Sequence, residues 1–199
     1  MTVRLAEPAD VADLVAVLAR AFADDPFVCW LVRDDARRAS GFTRFFELAL
    51  RRLTMPFDEV FTNDDRSGAA LWTPPGAWRM GLAREIWMVR DFAAVCGWSR
   101  LIHVQLATRP IVAAHPREPH HYLFLLGVDP SMQGRGVGRT LIGPILERCD
   151  RDSLPAYLET ATERNIPFYQ SLGFVVTGEH HIEDGPLMRF MRRAPRGAI

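Results

Sequence analysis

The stretch Val128-Asp-Pro-Ser-Met-Gln-Gly-Arg-Gly-Val-Gly138 constrains this chain more than any other. A continuous apolar run, Tyr122-Leu-Phe-Leu-Leu126, enters it, and a helix-spaced set, Leu141, Ile142, Ile145, Leu146 and Cys149, leaves it. Between strand and helix, Gly134, Gly136 and Gly138 alternate with Arg135 and Val137, so backbone amides stay bare at a helix N-terminus. Bare amides and the positive end of a helix dipole make an anion site, and a pyrophosphate is its usual occupant.

The remaining pattern is that of one α/β domain over residues 1–199. Thr2–Leu5 reads as a strand, and Pro8 opens a helix with Leu14, Val17, Leu18, Ala21 and Phe22 on one face, stopped at Asp24-Asp-Pro26. A second helix is predicted over Ala36–Leu53. The turn Asn63-Asp-Asp-Arg-Ser67 joins Asp58–Thr62 to Gly68–Trp72 as a hairpin. Gly81–Thr108 is helical with a break at Gly97, and Trp72, Trp78, Trp87 and Trp98 are expected to include both core residues and walls of a closed acceptor pocket. The pairs His120-His121 and His180-His181 read as solvated strand ends, since adjacent strand side chains point to opposite faces and cannot chelate one metal.

Composition removes several classes. Twenty-four basic residues balance 24 acidic ones, which argues against a nucleic-acid binder. All the basic residues are arginine, so no lysine can form a Schiff base or complete a P-loop. Three scattered cysteines and no C-x-x-C pair predict a reduced compartment and no metal site. Without an apolar span or a signal-like N-terminus, the expectation is a cytoplasmic protein, monomer or homodimer, with no membrane and no nucleic-acid partner.

Two nucleotide-loop templates fail on single residues. A dinucleotide fingerprint beginning at Gly134 requires a small residue where Arg139 stands, and a Walker loop requires lysine. A third pattern, Gln/Arg-x-x-Gly-x-Gly/Ala, fits Gln133-Gly-Arg-Gly136-Val-Gly138 and is followed in register by Asn165-Ile-Pro-Phe-Tyr169-Gln-Ser-Leu-Gly-Phe174. In these runs the chain resembles the GNAT superfamily of N-acetyltransferases. Within it, segments such as Ala70-Leu-Trp-Thr73, Gly127-Val-Asp-Pro130 and Leu158-Glu-Thr160 are similar to the puromycin N-acetyltransferase group.

That resemblance implies a GNAT fold: a mixed, mostly antiparallel sheet with a splayed central parallel strand pair, flanked by helices. It implies acetyl-CoA as cosubstrate, no metal, and direct acetyl transfer to a primary amine of a small molecule such as an aminonucleoside. A protein or peptide N-acetyltransferase and a non-catalytic acyl-CoA sensor are the alternatives. The implied coenzyme contacts are Leu126, Gly127, Val128, Gln133, Gly134, Arg135, Gly136, Val137, Gly138, Arg139, Thr140, Asn165 and Tyr169. The implied catalytic groups are Tyr169 as general acid, Glu159 as general base and the Val128 amide as oxyanion donor. Gly127, a glycine within an apolar strand, is expected at the bulge that splays the pair.

Overall fold

A computed structural model describes residues 2–79 and 81–197 of the chain. Its centre is a seven-stranded sheet in the order β1 (Val3–Leu5), β2 (Val60–Asn63), β3 (Gly68–Thr73), β4 (His121–Val128), β5 (Ala156–Thr160), β7 (Leu187–Arg193), β6 (Val175–His181). Every neighbouring pair is antiparallel except β4–β5, which is parallel. This is the mixed sheet with one central parallel pair that the resemblance implied.

Helices cover both faces. On one side lie α1 (Val11–Ala21) and α3 (Arg38–Leu48), whose Leu14, Leu18 and Phe46 pack on Leu71 and Leu125 of the sheet. On the other, α6 (Val137–Arg151) buries Leu141, Ile142, Ile145 and Cys149 against Trp72, Leu123 and Leu158. The 3.6-residue spacing of these apolar positions is why each helix can bury a single stripe. After β3 come α4 (Leu82–Cys96) and α5 (Leu101–Ala114), separated at Gly97, whose φ of 86° ends α4 where the sequence placed the break.

Three expectations about local structure change. Asp24-Asp-Pro26 does end α1, but it also starts a short helix, α2 (Pro26–Leu31). The Asp25 carboxylate accepts from the amides of Phe27 and Val28, both at 3.0 Å, with Pro26 at the first helical position. The predicted helix over Ala36–Leu53 is α3 followed by a π-helical segment, Ala49–Thr54, in which Thr54 Oγ1 donates to the Ala49 carbonyl at 2.8 Å.

The third change concerns the splay. Leu71 of β3 faces Leu125, yet Trp72 faces Leu123, so Phe124 is the extra residue and the bulge lies there. The packing agrees: Leu123 joins the α6-side core, whereas both Phe124 and Leu125 turn to the α1–α3 side. Gly127 pairs regularly with Ala69. A Cβ at Gly127 would lie 2.5 Å from Leu18 Cδ2 and 3.0 Å from Phe22 Cε2, so this glycine admits α1 onto the strand. The splay itself is present. β4 and β5 pair only at His121–Leu123 with Ala156–Leu158, and they part directly after, at the Phe124 bulge.

Candidate active site

Beyond Leu123 a gap opens between β4 and β5. The Asp129 amide donates to the Ser67 carbonyl at 2.8 Å, which sets the phase of the β3–β4 ladder. Residues opposite one another in an antiparallel pair alternate between bonded and non-bonded, so Gly127 and Leu125 point their polar groups at β3. Leu126 and Val128 therefore turn theirs away from β3, toward the gap. The Val128 carbonyl accepts from Gln133 Nε2 at 3.1 Å, which fastens the glycine loop to the strand end.

Gly134 and Gly136 have φ values of 75° and 81°, and a Cβ on either would meet nothing within 4 Å. Backbone conformation, not crowding, demands glycine at both. Gly136 is the N-cap of α6 and no side chain caps that terminus, so the amides of Val137, Gly138 and Arg139 have no partner within the helix. Asp129 steadies the turn before it. Its carboxylate accepts from Ser131 Oγ and the Ser131 amide and from Arg20, and these bonds hold it down to about 2, well below the usual range. Arg135 and Thr140 are exposed, and Thr140 Oγ1 donates to the Gly136 carbonyl. Arg139 donates to Ser171 Oγ at 2.6 Å, tying α6 to the end of α7 (Ile166–Gln170).

The helix α7 carries Tyr169. The ring is 7% exposed and meets Phe168 and Phe174 edge-on. Burial, and to a lesser degree the negative charge of Asp25, push its pKa well up, so the hydroxyl is protonated at neutral pH and able to donate. Asp25 also accepts from Thr162 Oγ1 at 2.9 Å, which joins the start of α2 to the chain leaving β5. Asn165, just before α7, is exposed, and its side chain does not cap that helix.

Glu159 is not a solvated strand end. Its side chain is 9% exposed; Tyr122 donates its hydroxyl to Oε2 at 2.6 Å, and His115 Nδ1 stands 3.2 Å from Oε1. Around this carboxylate lies an aromatic cluster that sequence reasoning missed. Trp78 stacks on His115 at 3.7 Å between centroids, and Tyr122 and Tyr157 each meet the His115 ring edge-on at 4.6 Å. His120 is also buried, with Nδ1 at 2.7 Å from the Glu118 carbonyl; burial lowers its pKa and favours the neutral ring. His115 Nε2, His120 Nε2 and the Tyr157 hydroxyl are buried and unpaired. Burial and the adjacent carboxylate raise the Tyr157 pKa well above the usual phenol value.

The histidine pair at the start of β4 departs from expectation, since His120 and His121 are both buried. His121 does turn to the other face, where its Nδ1 lies 3.7 Å from Glu59, which also accepts from Arg148. The tryptophans divide as well. Trp72 is fully buried core and Trp78 covers His115, but Trp87 and Trp98 are 82% and 67% exposed and do not close a pocket. Among the described residues, no group of three or more His, Cys, Asp or Glu side chains is arranged to hold a metal. No helix there is long and apolar enough to cross a membrane.

A splayed parallel pair with strand amides facing the gap, beside an uncapped helix N-terminus on a glycine turn, defines an acyltransferase fold. Residues 99–194 match the family described as acetyltransferase (GNAT) domain. An uncharacterized N-acetyltransferase of Schizosaccharomyces pombe is 29% identical over 88% of this chain and 74% of its own length. The crystal structure of histone acetyltransferase HPA2 and related acetyltransferase from Corynebacterium glutamicum superposes with a TM-score of 0.71. It is 26% identical and covers 99% of this chain and 97% of that one. Polyamine N-acetyltransferase of Drosophila melanogaster has the same fold, with a TM-score of 0.65 at 16% identity over 97% of this chain and 99% of its own. The chain is an acyltransferase with the GNAT fold.

Proposed function

We propose that this protein transfers the acetyl group of acetyl-CoA directly to the primary amine of a small molecule, an aminonucleoside-like amine being one candidate. The donor half of this reading is supported by the loop and the strand together. Gly134 and Gly136 leave room for a pyrophosphate against the α6 amides, and the gap-facing groups of Leu126 and Val128 suit the amide-bearing pantetheine arm. Arg135, Arg139, Thr140 and Asn165 edge the same opening from the solvent side.

Acetyl-CoA supplies an activated thioester carbonyl. In this reading the Val128 N–H donates to the oxygen on which negative charge develops during amine attack. Glu159 accepts the proton of the incoming ammonium through a water, since both of its oxygens are already engaged by Tyr122 and His115. Tyr169 gives its proton to the departing thiolate.

The observation that carries the small-molecule reading is the aromatic cluster around Glu159. Trp78 stacks over His115, which packs with Tyr122 and Tyr157 around Glu159, and such a closed wall of rings suits a compact amine better than an extended peptide. A panel of small primary amines and a panel of peptides with free N-termini, each incubated with acetyl-CoA, are compared by mass spectrometry. Acetylation confined to small amines is expected. Preferential acetylation of the peptides would overturn the acceptor class, and binding of acetyl-CoA with no transfer to either panel would overturn catalysis.

A further inference from the structure

Away from the β4–β5 gap, α3 and α4 pack side by side. At Gly41 a Cβ would stand 3.1 Å from the Val95 carbonyl oxygen, so the two helices are in near backbone contact there. A cleft of about 1210 Å³ runs along the two helices. One wall presents Arg37 at the start of α3, Ser40 and Arg44 on it, and Arg51 on the π-helical segment that follows. Its α4 wall presents Trp87, Arg90, Asp91 and Ala94 at helical spacing, with Trp98 beyond the end of that helix.

Two properties of this cleft are unusual. Six arginines line it against a single carboxylate, Asp91, in a chain whose net charge is zero. Arg33 is paired with Asp35, whose charge Arg37 also feels, but among the described residues the side chains of Arg44, Arg51 and Arg90 have no salt bridge or hydrogen bond. The second is backbone. Arg51 and Arg52 lie on the π-helical segment Ala49–Thr54, a geometry frequent at functional sites. Trp87 and Trp98 stand 82% and 67% exposed at the rim, and exposed Ile102 and Leu106 follow at four-residue spacing on α5.

We propose that the α3–α4 cleft docks an acidic amphipathic segment of a partner protein. Carboxylates of that segment would meet the arginine wall, and its large apolar side chains would lie on Trp87 and Trp98. Guanidinium forks match carboxylates in bidentate geometry, and arginine with tryptophan dominates the binding energy of protein interfaces. A second copy of this chain is disfavoured, because a two-fold axis through the cleft would set the Arg44 stripe against itself. A nucleic acid is disfavoured too, since the basic groups are confined to roughly 20 Å of helix on a chain without net charge.

The test uses the full chain and short synthetic helical peptides with glutamate on one face and leucine and phenylalanine on the other. Tryptophan fluorescence and calorimetry at low and at physiological salt report binding. Micromolar, salt-weakened binding is expected, with a loss of about ten-fold or more when glutamine replaces glutamate in the peptide. Arg44→Glu combined with Arg51→Glu should abolish binding, and Trp87→Ala should weaken it about ten-fold. Acetyl-transfer rate and circular dichroism should stay those of the parent, which separates this site from the catalytic one. Equal binding of the glutamate and glutamine peptides, or no binding of either, overturns the proposal. So does tighter binding of single-stranded DNA or anionic vesicles, or self-association through the cleft seen by sedimentation.

Discussion

On the α6 side of the β4–β5 gap the polar groups are main chain. They are the gap-facing amides of Leu126 and Val128 and the uncapped first turn of α6, held open by glycines with left-handed φ. On the opposite side they are side chains, Glu159 clasped by Tyr122 and His115 beneath Trp78. Main-chain donors have no rotamers and need only the correct backbone path, so they can recognise the invariant part of a donor such as acetyl-CoA. A side-chain cluster is fixed by packing and can be rebuilt one residue at a time. In the proposed reading, acceptor choice belongs on that side.

Substitutions separate the two sides by their kinetic signatures. Tyr169→Phe should lower kcat by about ten- to a thousand-fold while acetyl-CoA binding, followed by calorimetry, stays near that of the parent. An unchanged kcat would remove Tyr169 from the mechanism. Glu159→Gln should lower kcat/KM for the amine by about ten- to a hundred-fold, again with little change in donor affinity. If donor affinity falls instead, the division between the two sides is wrong.

Smaller effects test the framework beneath them. Gly127→Ala, which forces a methyl group toward Leu18 and Phe22, should destabilise the fold by about 1–3 kcal/mol in urea unfolding. A cost near zero would show that α1 does not need that close approach. Gly136→Ala has room for its methyl but not the preferred φ; it should cost about 1 kcal/mol and raise KM for acetyl-CoA more than KM for the amine.

The smallest expected effect is a pH dependence on the acceptor side. Burial lowers the His120 pKa, so the unfolded chain binds the proton more readily than the folded one. Stability should therefore fall as pH drops through the ordinary histidine value of about 6.5, and His120→Gln should reduce that slope in urea titrations. An unaltered slope would assign the titration elsewhere.

How much of this was legible beforehand follows the same division. The strand, loop and helix from Tyr122 to Cys149 are contiguous, and period, glycine placement and order suffice to read them. The run from Asn165 to Phe174 is legible for the same reason. The cluster around Glu159 draws on Trp78, His115, His120, Tyr122 and Tyr157, which are up to 79 residues apart in sequence, and no local pattern joins them. The bulge was misassigned for a related cause. Gly127 is the visible irregularity in the apolar run, but only pairing with β3 reveals that Phe124 is the residue without a partner. The sole local sign of the buried histidines was their adjacency to an apolar strand, which also fits an exposed end.

Sequence by itself determined the order of elements, the left-handed glycine turn and the apolar faces that cover the sheet, because each depends on residues near one another along the chain. Tertiary structure decided which strand amides face the gap, which side chains hold Glu159, and that Trp87 and Trp98 belong to an arginine-lined cleft instead of an acceptor pocket. These depend on strand register and on how helices approach one another, and both are settled only when distant segments pack together.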